Sequence, residues 1–157
     1  MKARTARPAD KPAPAAPATA TGYELDAQIG FLLRKAHQRA TETFNQVMAE
    51  FDVTPMQFAA LAKVHDLGSV SQNQLGRLIA MDPATTFGVV GRLMKRGLVS
   101  QHTDARDARL VLIELTEAGR ALVVAMKASG LDVSTRTLSP LTSDEAATLL
   151  ALLARIG

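Results

Sequence analysis

The chain has 157 residues, 47% of them hydrophobic, enough for one domain with a core of its own. It has no cysteine, which excludes disulfides, thiolate nucleophiles and cysteine-based zinc sites, and its three histidines, His37, His65 and His102, are too scattered for metal-ligand spacing. The net charge of +3 is unevenly held: residues 1–22 carry Lys2, Arg4, Arg7 and Lys11 against Asp10, and residues 92–109 carry Arg92, Lys95, Arg96, Arg106 and Arg109 against Asp104 and Asp107. Positive charge therefore gathers in one segment of the folded part, as suits a polyanion met by one face, although such clusters are often only solvated surface. No cofactor is expected. With no apolar run behind the N-terminal cations and none long enough to span a bilayer, neither a signal peptide nor a membrane is expected, and the cytoplasm is the expected location.

In chain order, residues 1–22 are Ala, Pro, Thr and basic residues that bury too little to offset ordering entropy, and read as a disordered arm. From Tyr23 to Phe51 the residues Ile29, Leu32, Leu33, Ala36, Ala40, Phe44, Val47, Met48 and Phe51 recur at three- and four-residue steps, which predicts one helix about 43 Å long. Thr54 and Pro55 open a second helix with Phe58, Leu61, Ala62 and Val64 inward, closed by Gly68. Ser71 caps a third, Gln72 to Ile79. Asp82 and Pro83 cap a fourth that runs to Arg96, with Gly97 as its terminator. The period then changes: Leu98–Thr103 and Leu110–Leu115 are rich in branched residues and read as a hairpin around a polar turn. Thr116-Glu117 opens a further helix, and Thr142-x-x-Glu145 is a capping box ahead of a Leu-rich last one.

Helix, short turn, helix and then a two-stranded hairpin is the winged helix-turn-helix arrangement, in which the second helix of the turn enters the DNA major groove and the hairpin reaches the flanking backbone or minor groove. The recognition helix is then Asp82 to Arg96. Its inward face is most simply Thr86, Val89, Val90 and Leu93, leaving Thr85, Phe87, Gly88, Gly91 and Arg92 outward. Two interior glycines cost roughly 1 kcal/mol each relative to alanine, which a close approach to a DNA backbone or a tight helix crossing would offset. The DNA-contacting candidates here are Thr85, Thr86, Phe87, Gly88 and Arg92. Ser71, Gln72 and Asn73, at the start of the preceding helix, suit phosphate contacts, or form an ordinary cap and solvent-facing turn.

The run from Thr54 to Leu122 resembles the multiple-antibiotic-resistance regulator (MarR) family, through Asp82-Pro83-Ala84-Thr85-Thr86, Arg92-Leu93, Arg96-Gly97-Leu98-Val99, Asp104-x-x-Asp107-x-Arg109 and Leu115-Thr116-x-x-Gly119. The resemblance implies a mainly α, six-helix winged-helix homodimer in which the first, fifth and sixth helices of both subunits interlock. Residues 23–53 and 116–157 are then the dimerisation parts and 54–115 the DNA-binding lobe, addressed to a pseudo-palindromic double-stranded operator. It also implies that Asp107 pairs with Arg109 at the wing tip and aims the guanidinium into the minor groove, where narrow walls concentrate negative potential; Arg106 adds a second cation. Phe87 stands where many relatives carry a polar or basic residue, which leaves either a thymine-methyl contact or burial through a slightly rotated helix.

Gly30-Phe31-Leu32-Leu33-Arg34-x-x-His37-Gln38, Thr54-Pro55-x-Gln57 and Ser71-Gln72-Asn73-Gln74-Leu75-Gly76-Arg77-Leu78 look like the branch that represses nicotinate and other aromatic-acid degradation. That implies a repressor released from DNA when a small aromatic acid binds between the two lobes. Arg34, His37 and Gln38 would take its carboxylate, with Gln57 and Phe58 as the opposite wall. A core or surface histidine is the plainer reading of His37. Alternatives are a ligand-independent winged-helix repressor or a winged-helix protein-assembly module. An enzyme is not expected, because no phosphate-binding loop, carboxylate pair or Ser-His-Asp arrangement is found.

Overall fold

In the computed structural model, which describes residues 22–104, 107 and 109–157, the helix expected from Tyr23 to Phe51 is interrupted near both ends. Gln28 is extended, so a 3-10 turn at Leu25–Ala27 stands apart from α1, Ile29–Val47. With 19 residues, α1 is about 28 Å long. A second 3-10 turn, Ala49–Phe51, ends at Asp52 in the left-handed region (φ 48°). The end of this turn is held from a distant part of the chain: the Arg96 guanidinium donates to the carbonyls of Asp52 at 2.6 Å and Phe51 at 3.4 Å, satisfying backbone acceptors there. The arm expected over residues 1–22 lies, apart from Gly22, outside the described residues.

Further along the chain run α2 (Pro55–Leu67), β1 (Ser69–Ser71), α3 (Gln72–Leu78), α4 (Pro83–Lys95), β2 (Val99–Thr103), β3 (Val111–Leu115), α5 (Glu117–Thr137) and α6 (Ser143–Ile156). Caps set most of the starts. Thr54, Ser71, Asp82, Thr116 and Thr142 each accept the backbone N–H three residues on, which satisfies one of the donors a helix start leaves open. The stop of α4 is a Schellman turn: Gly97 sits at φ 68°, its N–H donates to Met94 O and that of Leu98 to Leu93 O. Ala80 takes the same left-handed place after α3 (φ 52°), with Met81 N–H donating to Gly76 O, so the connection from α3 to α4 keeps a strain that glycine would relieve.

The hairpin is part of a three-stranded antiparallel sheet in the order β1-β3-β2, with Val70 opposite Ile113 and Val99 opposite Leu115. Ile113 and Leu115 point inward with Val70 and Val99, against a core that includes Leu61, Val64, Leu75, Val89, Val90, Leu93, Val123 and Met126. Two glycines let backbones approach. A methyl on Gly119 would overlap the Leu98 carbonyl, and one on Gly76 would stand 2.7 Å from the Thr86 hydroxyl and 3.1 Å from Met81 O. The fold is thus a winged helix-turn-helix, mainly α with a small sheet.

Outside that core, α1 packs along α5. Arg39 fastens the pair, donating to the carbonyls of Thr137 (3.0 Å) and Arg136 (3.2 Å) and to the Ser139 hydroxyl (3.3 Å), where a helix C-terminus leaves acceptors open. By contrast α6 buries none of its residues, and Leu149, Leu150, Leu152 and Ile156 are exposed, as are Ile29, Leu32 and Leu33 on α1 and Leu131 on α5. No helix among the described residues is long and apolar enough to cross a membrane.

Candidate nucleic-acid interface

The interface is built outward from α4. Its four inward residues, Thr86, Val89, Val90 and Leu93, are all buried, which fixes the rotation of the helix and leaves Phe87 and Arg92 exposed with Thr85, Gly88 and Gly91 at the margin. Thr86 therefore does not join the outward surface. It is 1% exposed, its hydroxyl donates to Asp82 O at 2.8 Å, and it fills the gap left by Gly76, so the expectation of a DNA contact at Thr86 is corrected to a packing role.

Asp82 organises the first turn twice over: Oδ1 accepts Thr85 N–H at 2.9 Å and Oδ2 the Thr85 hydroxyl at 2.6 Å. These bonds hold its carboxyl below the usual aspartate range, the hydroxyl first and the backbone N–H second. Because the folded value is depressed, the stabilisation is present above the ordinary value and lost as pH falls through the folded one. The expected result is that wild type unfolds at higher temperature than Asp82→Asn near neutrality, and that this gap closes as pH falls below the ordinary aspartate value of 3.8, read from parallel melts. A gap independent of pH would show that the carboxylate is not what holds this turn. With the Thr85 proton committed to Asp82, the free capacity of that hydroxyl towards DNA is as an acceptor.

Arg92 lies back along α4, its Nη1 3.5 Å from where a Cβ on Gly88 would be. In front of α4, Ser71 accepts Gln74 N–H at 3.4 Å as the cap of α3, Gln72 is half-buried and Asn73 exposed. One residue on this face was not singled out from the sequence. Arg77, exposed and four residues after Asn73, shares with it and Gln72 a depression of about 270 Å³ between α3 and α4. The i, i+4 spacing on α3 was the available signal.

At the wing, Asp107 and Arg109 are both exposed and described, whereas Arg106 lies outside the described residues. The contact between the two differs from the one the family resemblance implies. Asp107 Oδ1 accepts the backbone N–H of Arg109 at 3.0 Å, and no ion pair between their side chains is found among the described residues. Asp104 in turn accepts Asp107 N–H at 3.0 Å, and Leu110 N–H donates to Asp107 O at 2.9 Å. Both carboxylates thus accept backbone N–H groups, and the Arg109 side chain is exposed.

The expected effector residues do not come together in one chain. Arg34, His37 and Gln38 line an open depression of about 460 Å³ on α1 with Thr41 and Glu42, and Gln38 Nε2 donates to Glu42 at 3.1 Å. Gln57 is 6% exposed and spends its side-chain carbonyl on Thr54 N–H at 3.0 Å, completing a capping box. It borders a different hollow of about 520 Å³, with Arg92, Lys95 and Arg96. Phe58 packs into the core, its ring 5.8 Å from that of Phe44 and against Gly130. Among the described residues no three His, Asp or Glu side chains gather as a metal ion would require.

The MarR family profile matches residues 51–110. The chain is 39% identical over 141 residues to the HTH-type transcriptional repressor NicR of Pseudomonas putida, covering 90% of this chain and 89% of that one. Its fold is similar to that of a probable transcriptional regulator from Pseudomonas aeruginosa, at 46% identity with a TM-score of 0.82, covering 85% of this chain and all (100%) of that chain. It is also similar to BpsR of Bordetella bronchiseptica, at 34% identity with a TM-score of 0.81, covering 86% and 96%; that structure concerns regulation of BpsR DNA binding by 6-hydroxynicotinic acid.

Proposed function

The chain belongs to the MarR family, and on that premise we propose that it is a transcriptional repressor that holds double-stranded operator DNA as a homodimer in the cytoplasm and releases it when a small aromatic acid binds. It is a regulator and not an enzyme. The observation that carries the reading is the surface of α4. Its inner residues are wholly used in the core, while its outer face lies open beside the start of α3 and a wing that carries the exposed guanidinium of Arg109. On this reading Thr85, Phe87, Gly88 and Arg92 meet the major groove and its edges, Ser71, Gln72 and Asn73 the phosphates, and Arg109 with Arg106 and Asp107 the minor groove.

Residues 54–115 form the DNA-binding lobe, and 23–53 with 116–157 the dimerisation parts. The uncovered apolar side chains of α1, α5 and α6 support this, since a second copy related by a two-fold axis would cover them. The dimer presents two α4 helices to half-sites about 34–36 Å apart, which makes the operator pseudo-palindromic.

The acid binds at the α1 depression through Arg34 and His37, with Gln38 beside them. Its opposite wall comes from the dimer and not from Gln57 and Phe58, which are occupied elsewhere. A bound acid changes the separation of the two recognition helices and so favours the state that fits DNA poorly. That BpsR answers to 6-hydroxynicotinic acid supports an aromatic carboxylate as the ligand. The test is a titration of nicotinate-, benzoate- and cinnamate-type acids against labelled operator. At least one is expected to weaken binding while sedimentation still reports a dimer, and Arg34→Ala should remove the response without weakening DNA binding in its absence. If none of the acids alters affinity, the sensing part fails and a constitutive repressor remains.

A further inference from the structure

Phe87 is the largest apolar side chain on the outward side of α4, and it is 70% exposed. Burial through a rotated helix is excluded, because turning α4 far enough to bury Phe87 would expose Val89, Val90 and Leu93, now 1%, 2% and 1% exposed. Among the described residues the ring has no aromatic or cation–π partner. Met94, two turns on along the same flank, is also exposed. Beside them the helix is bare, with open space where a Cβ on Gly91 would stand and only the Arg92 guanidinium near Gly88.

A benzyl group has no hydrogen-bond donor or acceptor, so it cannot read the amino, carbonyl or N7 positions of a base edge. The one apolar group on a major-groove edge is the 5-methyl of thymine. Resting on the reading that α4 enters the major groove, we propose that Phe87 determines operator specificity by packing on a thymine 5-methyl group in each half-site. Selection at this position then depends on a methyl and not on hydrogen bonds. A cytosine carrying a 5-methyl offers the same contact surface, which ordinary cytosine lacks.

The experiment uses the full-length protein and a duplex that it selects from a random library, resynthesised with uracil in place of thymine. Losing one buried methyl costs roughly fourfold in affinity, so two half-sites give on the order of tenfold. Wild type is expected to select T·A pairs under α4 and to bind the uracil duplex about tenfold more weakly. Phe87→Ser should bind the thymine duplex with a similar loss and be indifferent to uracil, whereas Phe87→Leu keeps the sensitivity. Replacing the contacted T·A pair by C·G should weaken binding, and 5-methylcytosine should restore part of it. Equal binding of thymine and uracil duplexes by wild type, or a full uracil penalty in Phe87→Ser, overturns the proposal while leaving DNA binding itself intact. Failure to select any duplex overturns the DNA reading and this one together.

Discussion

Replacing Arg109 by alanine is expected to weaken operator binding on the order of a hundredfold, from about 1–3 kcal/mol at each of two wings. The guanidinium is exposed at the turn and spends nothing on Asp107, whose carboxylate is engaged by the Arg109 backbone N–H. Its charge is therefore available to the narrow groove, where negative potential is concentrated. Losing it should also make the salt dependence shallower, by roughly one unit of slope per wing. Arg109→Lys should recover part of the affinity, because the charge returns without the planar fork. Asp107→Ala should act more weakly, through a loosened turn. Titrations of labelled operator at several salt concentrations separate these outcomes. An Arg109→Ala protein that binds with unchanged affinity and slope would favour a winged helix used for protein assembly.

Gly119→Ala and Gly91→Ala make the same chemical change and should move stability in opposite directions. At Gly119 the added methyl overlaps the Leu98 carbonyl, which is backbone and cannot swing aside. Relief requires moving the start of α5, where Thr116 N–H donates to Leu98 O at 3.1 Å and Gly119 N–H to the Thr116 hydroxyl at 3.0 Å. The expected cost is about 3 kcal/mol, at the upper end for overpacking, or a melting temperature lower by roughly 6–12 °C. At Gly91 a methyl meets nothing within 4 Å, and the helix gains about 1 kcal/mol of propensity. Thermal unfolding of the two variants beside wild type decides it. A tolerated alanine at 119 would mean that α5 is not seated on Leu98 as described.

What was legible in the sequence was what is local. Thr54, Ser71, Asp82, Thr116 and Thr142 mark helix starts because a cap acts within four residues, and each cap is found in place. The inner face of α4 follows from spacing alone. The errors lie where a distant partner decides. α1 gives way at Met48 to a 3-10 turn whose far end Arg96 holds through the Phe51 and Asp52 carbonyls, a contact that no periodicity records. β1 is three residues long and exists through pairing with β3, far along the chain, so it carries no pattern of its own. Gln57 is also locally legible: Thr54-x-x-Gln57 is itself a capping-box pattern, and the box is closed in the structure. At the wing tip, Asp-x-Arg spacing cannot distinguish a carboxylate that holds a guanidinium from one that holds its own turn.

The position of β3 between two neighbours restricts how this protein can change over time. Ile113 is opposite Val70 on one side and Gln101 on the other, so a one-residue insertion or deletion in β3 would turn Ile113 and Leu115 out of the core and break both pairings at once. Beyond Thr103 and Val111 the described residues Asp104 and Leu110 lie outside the sheet, joined by Asp104 N–H to Leu110 O at 2.8 Å. Residues added or removed beyond Thr103 and Val111 leave the register of the strands untouched. A designer transplanting a wing from one regulator to another should cut at those two residues.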